Sequence, residues 1–137
     1  MMNSFLLVLK LSALMFFLVA ALHLILGLQA DALLGAQIPT TVMIDPVLDS
    51  QNRFYGTSFA LYGVMLLVVA ADPHKYGLVL HCVLWTLFAG GLARLVAIAS
   101  HGRPTPPVLG LLVLELVAPP LMLWWFAQVA KAHDELR

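Results

Sequence analysis

Two ionisable side chains lie deep inside apolar runs of this 137-residue chain, where a charge is costly unless it has work or a partner. Arg94 stands in Gly90-Gly91-Leu92-Ala93-Arg94-Leu95, and Glu115 in Leu114-Glu115-Leu116. An arginine and a carboxylate in apolar surroundings either pair through a planar two-pronged hydrogen bond or act separately. Acting separately, the carboxylate passes a proton while the guanidinium stabilises developing negative charge. His23, near the end of the first apolar run, and Arg53, at the start of the second, are further candidates. Arg53, Arg94 and Glu115 together leave one positive charge over. That charge attracts an anionic headgroup, carboxylate or phosphate, unless Asp45 or Asp49 absorbs it.

Other chemistries find little footing. His81 and Cys82 are adjacent, so on a helix they point about 100° apart and cannot grip one metal ion together. HExxH, paired-histidine, CxxC and phosphate-loop patterns are all missing, and Ser50, Ser58 and Ser100 lack a nucleophile motif. No metal and no cofactor are therefore expected. Cys82 is the sole cysteine, which excludes an internal disulfide. A formal net charge of zero offers no basic surface to nucleic acid. Trp85, Trp124 and Trp125 read as interfacial anchors or bundle packing.

The elements that must hold these groups follow from composition. Hydrophobic residues make up 62% of the chain and charged residues 10%, against about 45–50% and about 25% in soluble domains. With a mean hydropathy of +0.97, both disorder and a soluble bundle are excluded. A membrane-spanning helix needs about 20 apolar residues. Four segments qualify, at about 6–28, 54–71, 77–99 and 107–130. They are separated by a loop over 29–53 with Asp31, Pro39, Asp45, Pro46 and Asp49, by Asp72-Pro73-His74-Lys75, and by Ser100-His101-Gly102-Arg103-Pro104-Thr105-Pro106. The short alternating segments of a barrel are missing. The expected fold is all-α, a four-helix transmembrane bundle forming a single domain over 1–137. The first apolar run is too long for a signal peptide's core and lacks a basic start, so it is read as a retained helix. The loop over 29–53 is expected to lie on the outer surface as a lid.

Four spans put both termini on one side, and Lys/Arg counting gives the direction. The terminal side holds Lys10, Lys75, Lys131 and Arg137; the opposite side holds Arg103 and Arg53. The stretch 29–52 has neither Lys nor Arg, which favours its translocation and places both termini in the cytoplasm.

Depth and facing bring the candidates together. Arg94 lies roughly 9 Å, and Glu115 roughly 12 Å, inside the outer ends of their spans, and His23 and Arg53 fall in the same half. Arg53, Gly56, Ala60 and Gly63 share one helix face, as do Ala13, Ala20, His23 and Gly27. Small residues on such faces let helices approach closely. Two readings stand side by side: a structural ion pair pinning the third span to the fourth, or a four-span cluster lining an outward-opening cavity. Pro119-Pro120, one turn beyond Glu115, is expected to kink the fourth span and free backbone carbonyls.

The segments Asn52-Arg53-Phe54-Tyr55-Gly56, Gly90-Gly91-Leu92-Ala93-Arg94-Leu95, His101-Gly102-Arg103-Pro104 and Leu114-Glu115-Leu116, in that order, resemble the DUF4345 family of small bacterial membrane proteins of unknown function. The resemblance covers about residues 50–125. It implies a bacterial inner-membrane setting and a four-helix architecture, with Asn52, Arg53, Gly56, Gly91, Arg94, Gly102, Arg103, Pro104 and Glu115 as type-defining positions. It implies no activity. The expected polar cluster is then His23, Asn52, Arg53, Arg94, Arg103 and Glu115. The expected function is a non-enzymatic accessory subunit or a module binding a lipophilic or anionic ligand. Its surroundings are the lipid bilayer, with another membrane protein or a second copy of the chain as possible company. The alternative is a membrane-embedded enzyme with Glu115 as general acid or base; a transporter component comes third.

Overall fold

Glycines, prolines and capping side chains set the helix ends in the computed structural model, which describes residues 2–134. Helix α1 (Met2–Leu26) stops at Gly27, whose φ of 56° turns the chain and whose N–H still bonds the His23 carbonyl at 2.9 Å. Two short helices follow, α2 (Gln29–Leu33) and α3 (Thr40–Met43). Helix α4 (Pro46–Ala71) begins with proline at its first turn, and the Asp45 carboxylate accepts from the N–H groups of Val47 and Leu48 at 2.8 and 3.1 Å. A tight turn at Asp72-Pro73 leads into α5 (Gly77–His101), which ends at Gly102 with φ 89°. Pro106 opens α6 (Pro106–Asp134), which runs unbroken through Pro119 and Pro120.

The four long helices are long and apolar enough to cross a membrane. Their boundaries correct the expected loop over 29–53. Residues 46–53 belong to α4, and α2 and α3 occupy part of the rest. Pro46 and Asp49 had read as loop punctuation, yet both are good first-turn residues of a helix. Arg137, counted in the charge balance, lies outside the described residues.

Packing differs between the two halves of the bundle. In the half holding the termini, all four helices share one core of Phe5, Leu9 and Ala13, Leu66 and Val69, Leu80 and Val83, and Val129. Phe5, fully buried, meets Trp125 edge-on at 5.5 Å and stacks on Phe126 at 5.8 Å. In the distal half the helices pack mainly in pairs, α1 with α4 and α5 with α6. Gly56 lets α4 press against the Ala20 carbonyl and Leu24, and Gly63 receives the Phe17 ring. Outward-facing residues such as Leu7, Met15, Ile25, Leu78, Val96 and Leu121 are large, apolar and exposed, as a lipid-facing surface requires.

Candidate polar centres of the distal half

The polar residues of the distal half form two centres, each within one helix pair. On α5 and α6, Gly91 lets the helices close on Leu116 and the Glu115 Cβ, which places Arg94 one turn further on opposite Glu115. Arg94 Nε donates to Glu115 Oε2 at 2.7 Å and Nη2 to Oε1 at 3.0 Å. This is the bidentate geometry that makes arginine–carboxylate pairs strong. The Glu115 side chain is 17% exposed and that of Arg94 36%. Packing around the pair is uneven: the helices are in tight contact at Gly91, while a Cβ on Gly90 would meet only Glu115 Oε2, at 4.0 Å, and one on Gly110 nothing. Pro119 and Pro120 lack the N–H groups that would otherwise bond the carbonyls of Glu115 and Leu116.

On α1 and α4 the polar groups grip the backbone. The last carbonyls of a helix lack intrahelical donors and carry partial negative charge. Arg53 Nη1 donates to one of these, the Leu24 carbonyl, while Arg53 Nε donates to Asp49 Oδ2 at 2.7 Å. Asp49 Oδ1 in turn accepts from the Leu28 N–H at 3.2 Å. Gly27 is required here twice over. Its φ is positive, and a Cβ would fall 1.7 Å from Asp49 Oδ1. The result is a clasp between the end of α1 and the start of α4.

Beneath the clasp lies a second set. Asn52 is 3% exposed; its Nδ2 donates to Asp31 Oδ2 on α2, while its Oδ1 is buried without a hydrogen-bond partner. His23 is also buried. Its Nδ1 lies 2.9 Å from the Val19 carbonyl and must carry the proton there, so Nε2 is left to face Asp31 Oδ1 at 4.0 Å. The Phe59 ring of α4 lies 5.3 Å from the imidazole. Thr105 Oγ1, on the α5–α6 connection, donates to the Leu34 carbonyl at 2.6 Å and ties the two distal loops together.

These contacts revise the expected cluster. His23, Asn52 and Arg53 gather on one helix pair and Arg94 with Glu115 on another, with no hydrogen bond or ion pair between the two centres among the described residues. Each centre is thus bonded within its own helix pair, with its own counter-charges. Arg103 is exposed and has no such bond among the described residues. The expected spare positive charge is cancelled by Asp49, while Asp31 adds a negative one. Asn52, not Arg53, is the buried member of the α4 face toward α1. Asp31 is the member that sequence reasoning left out, and Asp49, expected as one of two carboxylates able to absorb the spare charge, is the one that pairs with Arg53. The i, i+4 spacing of Asp49 and Arg53 was the available signal. His81 is exposed and bonds the Gly77 carbonyl of its own helix. Two surface depressions have none of these polar side chains in their lining. One of about 360 Å³ is lined by Ser50, Gln51 and Phe54, and one of about 490 Å³ by Leu18, Ala21, Leu22, Ile25 and Leu26.

Comparison with known proteins adds one assignment. The profile described as "Domain of unknown function (DUF4345)" matches residues 4–126, nearly the whole chain. No curated protein and no solved structure matches. With the match running from the first long helix into the last, and both polar centres inside it, the chain belongs to the DUF4345 family.

Proposed function

We infer that the protein is a non-enzymatic integral membrane module of the bacterial inner membrane, with both termini cytoplasmic, whose distal half binds the polar head of a lipophilic molecule. The observation that carries the choice of binding over catalysis is the state of Glu115. Both its oxygens accept from Arg94, so the carboxylate that an enzyme would use to move a proton is occupied by a structural partner. Large apolar residues exposed on all four long helices support the lipophilic setting. The absence of Lys and Arg over 29–52 supports the orientation. Because Arg94 and Arg53 are each neutralised, an anionic ligand is less favoured than the sequence implied.

The test is retention of lipid. Purified protein passed through delipidating detergent washes and examined by native mass spectrometry is expected to keep a lipid-sized mass at defined stoichiometry. A bare chain of unchanged thermal stability would overturn the binding reading.

A further inference from the structure

The geometry points to a site for a primary ammonium group, formed by His23 Nε2, Asp31 Oδ1 and Asn52 Oδ1; the inference rests on the binding reading above and names the head group. The three groups are linked through Asp31: His23 Nε2 lies 4.0 Å from its Oδ1, and the Asn52 amide that holds its Oδ2 leaves its own oxygen without a donor. The Asn52 oxygen is the plainest case, since it is buried, carries no hydrogen bond and belongs to the amide whose nitrogen holds Asp31. The orientation of that amide follows from its partner, because a carboxylate accepts and so faces Nδ2. The imidazole is fixed in the same sense. With Nδ1–H spent on the Val19 carbonyl, a neutral ring turns its Nε2 lone pair toward Asp31.

Two acceptors do not bond each other, and at a separation of 4.0 Å one donor atom about 2.8 Å from each fits between them. An ammonium nitrogen has three N–H donors for the three acceptors, and its charge offsets that of Asp31. The surrounding charges leave this open: Asp49 and Arg53 are engaged with each other, and Asp45 caps α4. Entry is from the distal end, where the Asp31 side chain is 39% exposed. His23 lies one turn from the end of α1. Head groups with a primary amine fit, whereas a trimethylated amine, which has no N–H, does not.

The experiment compares ligands on the unaltered protein, so that folding of a variant is not at issue. Delipidated protein is titrated with phosphatidylethanolamine, its trimethylated counterpart phosphatidylcholine, and free ethylamine. Retention of phosphatidylethanolamine over phosphatidylcholine by about tenfold is expected, the value of one charge-assisted hydrogen bond. The near-isosteric Asp31→Asn should bring that ratio toward one while a mass of bound lipid persists. Stabilisation by ethylamine without any lipid preference would assign the same site to a soluble amine. Equal retention of the two lipids with no response to ethylamine overturns the ammonium site, and lipid bound without head-group preference leaves the broader binding reading standing.

Discussion

The Arg94–Glu115 pair and the His23–Asp31–Asn52 group lie in the same half of the molecule but are held in opposite ways. Around the pair, α5 and α6 touch closely at Gly91 but leave open space beside Gly90 and Gly110, and two parallel hydrogen bonds between charged side chains join the helices. Around the triad, α1 and α4 are in close contact through Gly56 and Gly63, and the polar groups reach backbone as well as one another. On α5 and α6 the charges satisfy each other side chain to side chain; on α1 and α4 the backbone takes part, and the buried Asn52 Oδ1 is left without a donor. The first is a strut closed on itself, and the second is a clasp above a buried acceptor, Asn52 Oδ1, that has no donor.

Breaking the strut should have the largest effect. Glu115→Gln leaves Arg94 without its counter-charge, and thermal unfolding in detergent is expected to show a loss of about 3 kcal/mol, the low end for buried pairs because Arg94 is partly exposed. The exchange Arg94→Glu with Glu115→Arg should recover part of that loss; none recovered would speak against direct pairing. On the other side, Gly27→Ala combines backbone strain with displacement of Asp49. It is expected to cost about 1–3 kcal/mol in the same assay, and a neutral result would contradict the clasp. Arg53→Gln should cost less, about 1 kcal/mol, chiefly because the Leu24 carbonyl loses its cationic donor and the arginine is half exposed. Smallest is Gly90→Ala. With nothing but Glu115 Oε2 at 4.0 Å to meet, the added methyl should leave stability unchanged or raise it by up to about 1 kcal/mol, and a loss would show tighter α5–α6 packing than described.

Much of this difference was legible in the sequence, but unevenly. Apolar run length located the four long helices, and matched depth singled out Arg94 and Glu115 as partners, because the cost of a lone charge in apolar surroundings leaves few alternatives. Ala13, Ala20, His23 and Gly27 are all buried, as their spacing required. The clasp was obscured by one boundary. Drawing the loop to Arg53 put Asp49 outside a helix, so its i, i+4 relation to Arg53 carried no weight. Asp31 was hidden for another reason: as a polar residue after a helix end it reads as turn chemistry, and only the return of the chain through α2 brings it to Asn52 and His23. Pairing between distant helices decided which polar groups met, and helix periodicity carries no information about which helix lies alongside which.

Separateness of the two centres is the central claim, and a pair of double-mutant cycles tests it directly. Unfolding free energies would be measured for Arg94→Gln, Arg53→Gln and Glu115→Gln singly, and for Glu115→Gln combined with each arginine variant. Coupling of about 2 kcal/mol or more is expected between Arg94 and Glu115, and no more than about 0.5 kcal/mol between Arg53 and Glu115, the residual typical of sites that share no partner. Comparable coupling of both arginines to Glu115 would contradict the account and restore a single four-helix cluster.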